Sequence, residues 1–208
     1  IVSIQQAYDA WSASYDGDEN ITRDLDRRVM VQLLGQLRCQ AVLEVGCGTG
    51  KNTPLLAMIG QRVTAVDFSP GMIAQAKAKI TAPNVTFQVA DITQPWPTAN
   101  AAFDLITFNL ILEHIADLPF VLAEASRSLA AGGQLFISEL HPFKQYQGSQ
   151  ARFVRDETTT LIPAFTHHIS DFLAAAAPGG LTLTALNEWW HEADEGKAPR
   201  LVTFWFQK

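Results

Sequence analysis

The residues from Glu44 to Gly50 form a glycine-rich loop whose composition suits the binding of a nucleotide. The loop reads Glu44-Val45-Gly46-Cys47-Gly48-Thr49-Gly50, and it follows a short apolar run and precedes a helical pattern. Glycines at such a turn let the backbone bend sharply and come close to a ligand, because no Cβ intrudes. Asp67 ends the next apolar run, about 20 residues after Gly46, which suits an acid that accepts hydrogen bonds from ribose hydroxyls. The loop and the acid together predict a nucleotide-type cofactor.

The spacing of the glycines separates several kinds of nucleotide site. A dinucleotide-binding fingerprint has the spacing G-x-G-x-x-G, in which the third glycine lets helix and strand pack closely. This chain has G-x-G-x-G, and Lys51 follows the last glycine. The pattern GxxxxGK[ST] does not occur in the sequence, which excludes a phosphate-binding P-loop. The pattern of glycines alone therefore leaves the identity of the cofactor open.

The rest of the chain supplies the elements that must position this loop. Short β-rich runs alternate with helical stretches, which predicts an α/β fold with a largely parallel sheet covered on both faces. Helices are predicted over 5–15, 23–37 (with Thr22 as N-cap), 52–59, 70–80 (with Ser69 as N-cap), 118–129 and 166–177. Strands are predicted over 41–45, 62–66, 85–89, 103–108, 134–140, 181–189 and 201–206. The last two strands are joined without a helix, so they should pair as an antiparallel hairpin.

Composition limits the classes of function. The chain has 208 residues, of which 48% are hydrophobic and 17% charged, and this predicts one globular domain over residues 1–208. The formal net charge of −6 makes nucleic acid an unfavourable partner. No apolar run reaches the roughly 20 residues that a membrane helix needs, and Ile1 does not begin a signal peptide. Cys39 and Cys47 form no metal pattern and suit free thiols, so we expect a cytoplasmic protein without a metal.

Four features together resemble the class I S-adenosylmethionine-dependent methyltransferases, and in particular their small-molecule group that is often called type 11. These features are the segment from Glu44 to Gly50, Asp67, Asp91 and the turn Ala130-Ala131-Gly132-Gly133. The resemblance covers about residues 3 to 140. It implies a doubly wound, Rossmann-like sheet of seven strands, mostly parallel with a C-terminal antiparallel hairpin, in the order 3-2-1-4-5-7-6. Residues 1–38 would then form an N-terminal helical cap.

The resemblance also implies the residues of the cofactor site. Asp67 would hold the ribose hydroxyls and Asp91 would accept from the adenine amino group. The residues concerned are Tyr15, Glu44, Gly46, Cys47, Gly48, Thr49, Gly50, Asp67, Phe68, Met72, Asp91, Ile92, Asn109 and Leu110. Phe68 and Met72 would flank the adenine, although core packing is an equal alternative for both. Tyr8, in the repeated Tyr-Asp pattern with Tyr15, resembles aromatic residues that cover the cofactor in relatives.

The chemistry implied is an in-line displacement at a sulfonium, in which the acceptor takes the methyl group and S-adenosylhomocysteine leaves. Holding acceptor and methyl in line can supply much of the rate, about 7–11 kcal/mol for well-oriented neighbours. A general base is needed only where the acceptor must lose a proton. His141 follows the fifth strand and is one candidate, because the ordinary pKa of histidine, about 6.5, suits a base. His114 is a second candidate base, and Tyr146 is a candidate to orient the acceptor. A structural role is the alternative for each of the three.

The segment 141–163 is polar, aromatic and irregular, and we interpret it as a lid over the acceptor site. Lys144, Arg152 and Arg155 give it a local positive charge on an acidic chain. This charge suggests an acceptor that bears a carboxylate or phosphate. A solvated loop with scattered charges is the alternative interpretation.

Two other functions share parts of this pattern. A nicotinamide-dependent oxidoreductase would also have the strand, the glycine loop and the ribose acid. The missing third glycine, Asp91 and the closing hairpin count against it. A non-catalytic cofactor-binding module is the second alternative, since methyl transfer requires no diagnostic catalytic residue. Methylation of nucleic acid or protein is disfavoured, because Asn109-Leu110-Ile111-Leu112 stands where an Asn/Asp-Pro-Pro-Tyr signature would be.

Overall fold

A computed structural model describes residues 4–155 and 158–208 of the chain. Its helices are α1 (Ile4–Trp11), α2 (Ile21–Leu34), α3 (Thr53–Ile59), α4 (Pro70–Lys79), α5 (Leu118–Ser128), α6 (Pro142–Tyr146) and α7 (Ile169–Ala176). Its strands are β1 (Cys39–Val45), β2 (Gly60–Asp67), β3 (Val85–Val89), β4 (Phe103–Asn109), β5 (Leu129–Leu140), β6 (Arg152–Arg155), β7 (Thr158–Leu161), β8 (Thr182–Trp189) and β9 (Leu201–Gln207). Short 3₁₀ turns lie at Leu112–His114, Ala177–Gly179 and Glu192–Asp194.

Seven of these strands form one sheet in the order β3-β2-β1-β4-β5-β9-β8. Strands β1 to β5 pair in parallel, and β9 pairs antiparallel with both β5 and β8. Strands β8 and β9 are the sixth and seventh strands of this sheet, because β6 and β7 form a separate hairpin. The order is therefore the expected 3-2-1-4-5-7-6. Strand β1 pairs with both β2 and β4, so the chain changes direction across the sheet at β1. A crevice at the carboxyl ends of the strands is expected at such a switch point.

The two faces of the sheet bury separate apolar cores. Leu43 and Val45 of β1 pack in a core with residues of α5 and α7, whereas Val42 packs in a second core with residues of α2 and α3. Neighbouring residues of a strand point to opposite faces, so helices cover the sheet on both sides. The expectation of a doubly wound sheet is confirmed.

The helix boundaries differ from the predicted ones where a cap decides them. Ser69 caps α4 as expected, because its side chain accepts from the backbone N–H of Met72. Helix α2 instead begins after Asn20, whose side chain accepts from the N–H groups of Thr22 and Arg23. The prediction that Thr22 caps this helix was wrong, since the asparagine two residues earlier already satisfies those donors.

The segment 141–163 has more regular structure than its composition indicated. It begins with α6 and continues into the hairpin of β6 and β7, in which Arg152 pairs with Leu161. Strand β5 is also longer than predicted, since it starts at Leu129 and includes Gly132 at a positive φ of 75°. No helix among the described residues is long and apolar enough to cross a membrane.

Candidate functional site

A cavity of about 390 Å³ lies at the carboxyl ends of β1, β2 and β4. All the residues predicted for the cofactor line it except Gly50, and Tyr8 lines it as well. The structure therefore brings together side chains and backbone from the glycine loop, from the ends of three strands and from the N-terminal segment. Gly50 takes a different part: a Cβ there would lie 2.4 Å from Cδ1 of Ile80, so this glycine lets the loop pack against α4.

Gly48 and Asp67 form the base of the cavity next to β2. Gly48 has a positive φ of 53°, and a Cβ built on it would meet no atom within 4 Å, so its position opens into free space. Its N–H donates to Asp67 Oδ2 at 2.9 Å, and the N–H of Ser69 donates to Oδ1 at 2.9 Å. Burial raises the pKa of Asp67, and these N–H groups oppose the rise. The carboxyl group is thus held in one orientation at the cavity wall.

A buried cluster on α2 and the neighbouring loops supplies oxygen atoms to the same cavity. Asp26 accepts from Asn52 Nδ2 at 2.8 Å and from Asn109 Nδ2 at 2.7 Å. The amide oxygens of Asn52 and Asn109 are buried and have no hydrogen-bond partner among the described residues. Such oxygens are costly to leave unpaired. The cluster can therefore accept hydrogen bonds from a cationic group of a ligand.

Glu44 adds a second buried carboxyl group to this end of the cavity. Thr53 Oγ1 donates to Glu44 Oε2 at 2.6 Å. Burial raises the pKa of Glu44 to about 8. A cation beside Glu44 would favour its charged form, because opposite charges lower the pKa of a carboxyl group.

Arg23 brings a cation to the wall formed by the N-terminal segment. Its guanidinium lies 4.0 Å from the centre of the Tyr15 ring, and its two Nη atoms donate to the carbonyl oxygens of Tyr15 and Asp18 at 2.8 Å. Its Nε is buried and has no partner among the described residues. Arg23 can therefore donate one further hydrogen bond to an anionic group in the cavity.

His114 lies at the other end of the cavity, after β4. Its Nδ1 lies 2.9 Å from the carbonyl oxygen of Pro163, which can only accept, so Nδ1 carries the proton. Nε2 then has a lone pair, and the hydroxyl of Tyr8 donates to it at 2.8 Å. Burial and neighbouring carboxylates raise the pKa of Tyr8 well above its ordinary value, so its hydroxyl stays protonated. The structure thus presents a histidine with a fixed tautomer at the cavity.

The backbone beside His114 is held in an uncommon conformation. Leu110, which lines the cavity, has a positive φ of 57°. Positive φ is uncommon for a residue other than glycine, and it is kept only where the surroundings impose it. The N–H of Leu110 donates to the carbonyl oxygen of Ser138 at 2.9 Å, and Glu139 Oε1 accepts from the N–H groups of Ile111 and Leu112 at 3.0 and 2.9 Å, so β5 holds the backbone on both sides of this conformation.

His141 and Tyr146 do not reach the cavity. His141 is 1% exposed, its Nδ1 accepts from the N–H of Phe143 at the start of α6, and its Nε2 lies 2.9 Å from Glu188. The expectation that it faces the crevice is not met, because these contacts hold the ring as a helix cap. Tyr146 is 58% exposed and its hydroxyl bonds to His168.

Lys144 is likewise unavailable for an anionic acceptor. It is buried and forms an ion pair with Asp194 at 2.8 Å. The interpretation of Lys144 as part of a positive lid was therefore wrong, since its ammonium is buried against Asp194. The side chains of Arg152 and Arg155 lie outside the part of the chain whose side chains are described.

Sequence reasoning missed Asp26, Arg23 and Asn52 as cavity residues. A signal existed for Asp26, because it stands next to Leu25 and before Val29 and Met30, on the buried face of an amphipathic helix. A charged residue at such a position needs a polar partner. Arg23 and Asn52 gave no comparable signal, since both occupy ordinary positions near helix starts. Among the described residues, no group of three or more His, Cys, Asp or Glu could hold a metal ion.

Comparison with known proteins finds a matching family and proteins of similar sequence. The sequence profile of the family described as "Methyltransferase domain" matches residues 43–137. The demethylmenaquinone methyltransferase of Tropheryma whipplei (strain Twist) is 31% identical over 170 residues, which cover 81% of this chain and 67% of that protein. The malonyl-[acyl-carrier protein] O-methyltransferase of Serratia marcescens is 33% identical over 141 residues, which cover 66% of this chain and 52% of that protein. The chain thus spans between half and two thirds of these relatives.

Solved structures show the same fold. DhpI in complex with SAH superimposes with a TM-score of 0.75 at 21% identity, covering 98% of this chain and 94% of that one. The N-methyltransferase NodS from Bradyrhizobium japonicum WM9, in complex with S-adenosyl-L-homocysteine, superimposes with a TM-score of 0.73 at 20% identity. That match covers 99% of this chain and 98% of NodS. Likeness at these identities concerns the fold.

Proposed function

The chain belongs to the class I S-adenosylmethionine-dependent methyltransferases, and we propose that it methylates a neutral small molecule held beside His114. One observation carries the proposal: a single cavity joins the glycine loop and Asp67 to a histidine whose Nε2 can accept a proton. The part of the cavity formed by the glycine loop and Asp67 would hold S-adenosylmethionine. The part beside His114 would hold the acceptor.

The nucleoside part of the cofactor would lie against β2 and the loop after β3. Asp67 would accept from the ribose hydroxyls and Asp91 from the adenine amino group. Oδ1 of Asp91 already accepts from the N–H and the hydroxyl of Thr93, which orients the carboxylate. Phe68, Met72 and Ile92 would flank the adenine. The open position at Gly48 supports this placement, because backbone there can approach the ligand closely.

The methionine part would lie between α2 and β4, where the charged groups complement it. Its ammonium group would donate to the oxygens of Asp26, Asn52 and Asn109, and Glu44 lies at the same end. Its carboxylate would accept from Nε of Arg23. The buried, unpartnered atoms of Arg23, Asn52 and Asn109 support this assignment, since a zwitterion would satisfy all three.

The cofactor, when bound, supplies an electrophilic methyl group on a sulfonium. The leaving group is neutral, so no residue has to protonate it. The chain's own contribution is therefore to hold the acceptor in line with the methyl group and to remove water. The apolar side chains of Ile4, Ile111 and Ile115 also line the cavity and would suit both tasks.

His114 would take the proton of an acceptor hydroxyl. Its Nδ1–H is held by Pro163, so Nε2 is the proton-accepting atom. The Tyr8 hydroxyl occupies Nε2 in this structure and would turn aside for the acceptor. Glu113 Oε1 lies 3.7 Å from Nε2, and a carboxylate there would stabilise the imidazolium that forms.

A neutral acceptor fits the charges of the cavity better than an anionic one. Among the described residues that line it, the Lys and Arg side chains are Arg23 and Lys51. Arg23 lies against Tyr15, and Lys51 forms an ion pair with Asp24. Both belong to the cofactor side. Among the described residues that line the cavity, no further Lys or Arg is available to an anionic acceptor beside His114.

Transfer of a labelled methyl group tests this proposal. We expect 4-methylphenol to be methylated faster than 4-hydroxybenzoate, which carries the same hydroxyl and an added carboxylate. His114→Gln should lower kcat by about 10²–10⁴-fold and leave the Kd of S-adenosylhomocysteine within a factor of three. His167→Gln is the matched control. This histidine does not line the cavity, and its Nε2 bonds to the carbonyl oxygen of Ile115. A faster reaction of the carboxylated phenol, or an unchanged kcat of His114→Gln, would contradict the proposal.

A further inference from the structure

The repeated Tyr-Asp pattern contains two aspartates to which the proposed function gives no role. Tyr8 and Tyr15 line the cavity, whereas Asp9 and Asp16 do not. Both pairs belong to residues 4–18, which we name the cover segment. This segment includes α1 and the turns that lead to α2. The contacts of the two aspartates show how it is attached.

Asp9 attaches α1 to the start of α4. Its Oδ1 accepts from the hydroxyl of Ser69 and, at 3.1 Å, from the N–H of Gly71. Ser69 is itself the N-cap of α4 and follows Phe68, which lines the cavity. An acid at the N-terminus of a helix is favourably placed, because the free N–H groups there carry partial positive charge. Asp9 therefore fixes the segment that presents Tyr8.

Asp16 attaches the other end of the cover segment to the glycine loop. Its Oδ1 accepts from Oγ1 of Thr49 at 2.6 Å, and its Oδ2 pairs with the ammonium of Lys79. Thr49 is buried and lines the cavity. Burial opposes ionisation of Asp16, but the hydrogen bonds from Lys79 and Thr49 and the positive charges of Lys79 and Arg23 outweigh it, so the pKa of Asp16 is lowered. Asp16 therefore fixes the segment that presents Tyr15.

The residue at position 71 gives independent support for a close fit. A Cβ on Gly71 would lie 2.7 Å from Ser12 Oγ and 3.2 Å from Asp9 Oδ1. Gly71 is in a helix, where alanine would normally be preferred. The absence of a side chain here lets the cover segment lie directly against α4.

We propose that Asp9 and Asp16 are positioning residues that fasten the cover segment over the cofactor, each fixing the tyrosine that precedes it. The inference rests on the proposed placement of the cofactor in this cavity. With both acids in place, Tyr8 and Tyr15 close the cavity, and the cofactor leaves only after these attachments open. The acids should thus slow dissociation more than they affect association.

The test measures dissociation of tritiated S-adenosylhomocysteine from the full chain after addition of excess unlabelled ligand. We expect the dissociation rate to rise about 5–20-fold in Asp9→Ala and in Asp16→Ala, from the loss of hydrogen bonds to a charged group. The fold-changes should multiply in the double variant, since the two acids hold different partners. Asp9→Asn keeps an acceptor oxygen and should recover part of the effect. Glu19→Ala is the control, because the Glu19 side chain is exposed and has no hydrogen bond within the part of the chain described here.

A second variant separates this role from general destabilisation. Gly71→Ala should also raise the dissociation rate, by a few fold, although alanine favours α4 itself. With the ligand bound, amide exchange over residues 7–15 should be faster in the aspartate variants and in Gly71→Ala than in the unsubstituted chain. Dissociation rates within twofold of the unsubstituted chain in both single aspartate variants would overturn the inference.

The affinity of the unsubstituted chain is measured first, and it separates two kinds of failure. If S-adenosylhomocysteine binds and the variants retain it equally long, the inference fails and the proposed function stands. If it does not bind at all, the placement of the cofactor fails, and this inference fails with it.

Discussion

Several acidic side chains near the C-terminal ends of the strands are buried, and each has a different structural role. Asp67 is held by backbone N–H groups and faces the cavity, whereas Glu139 holds the backbone after β4. Both are buried, as is Glu44. Burial raises the pKa of each of the three, so their protonation links the stability of the fold to pH.

Glu139→Gln tests this link at a carboxyl group that does not itself line the cavity. Burial raises the pKa of Glu139 to about 8 from an ordinary value of 4.5. The folded state therefore favours the protonated form, and its contribution to stability is full below pH 4.5 and is lost as pH rises through 8. We expect the free energy of unfolding to fall between pH 5 and 8, and the fall to be smaller in Glu139→Gln by about 3–4 kcal/mol.

Urea unfolding at several pH values measures this difference. Glu44 titrates over the same range, because burial raises its pKa to about 8 as well, so part of the slope should persist in the variant. Identical slopes for Glu139→Gln and the unsubstituted chain would show that Glu139 does not take up a proton on folding.

His141→Ala should lower stability and leave the cofactor site intact. The ring caps α6 and bonds to Glu188, and burial lowers its pKa, so it remains neutral. We expect a loss of about 1–2 kcal/mol in the free energy of unfolding, as for the removal of a helix cap and a hydrogen bond. Calorimetry should give an unchanged Kd for S-adenosylhomocysteine. A variant of normal stability that loses methyl transfer would instead support a catalytic role.

The residues that line the cavity were predictable where they stand at strand ends, because spacing along the chain fixes their place there. Asp67 ends β2, and Asn109 ends β4, next to β1. His141 also follows a strand, yet its side chain turns away from the cavity. The reason is local: the proline at 142 starts a helix, and the ring caps it. The orientation of a side chain after a strand depends on such caps. The spacing of residues along the chain does not predict it.

At the level of elements, a buried ion cluster joins α6 to the connection between β8 and β9. Asp194 is 1% exposed and accepts from Lys144 at 2.8 Å and from Arg200 at 2.6 and 2.7 Å. These cations hold the pKa of Asp194 well below its usual range. The cluster fixes the start of the segment 141–163 on the sheet edge.

Asp194→Asn should destabilise the protein strongly, by about 3–5 kcal/mol, because it leaves two buried or half-buried cations without their anion. Lys144→Met should cost less, since Arg200 still pairs with Asp194. The lowered pKa means that this stabilisation is present above about pH 4 and is lost as pH falls below it. Thermal unfolding of both variants at pH 7 gives the comparison. Equal losses for the two variants would show that the anion is no more important than one cation.

The strands were predictable from short apolar runs, and the closing hairpin from the absence of a helix between β8 and β9. The segment 141–163 was not predictable in the same way. Its hairpin pairs Phe153 with Thr160 and Val154 with Thr159, and three of the four residues of β7 are threonines, which weakens the apolar pattern. Helix α6 is five residues long, which is too short for a periodic signal.

At the scale of the whole molecule, the charges divide the cavity into two parts. The carboxyl groups of Asp26, Glu44 and Asp67, with Arg23, surround the place proposed for a zwitterionic cofactor. The Tyr8 ring packs edge-on against His114, and the neighbouring Ile111 and Ile115 also line the cavity. The cover segment contributes a residue to each part, because Tyr8 contacts His114 and Tyr15 contacts Arg23. This division follows from the topology, since the strand ends on either side of β1 contribute different residues.

The most direct test of the central claim is calorimetric titration of S-adenosylhomocysteine into the full chain and into Asp67→Ala. Glu195→Ala is the control, since this exposed acid lies on the β8–β9 connection. We predict binding in the micromolar range for the unsubstituted chain and the control, and a loss of at least about tenfold in affinity for Asp67→Ala, from hydrogen bonds to a charged group. NAD should not bind. Equal affinity of Asp67→Ala, or binding of NAD in place of S-adenosylhomocysteine, would contradict the assignment of this cavity to the cofactor.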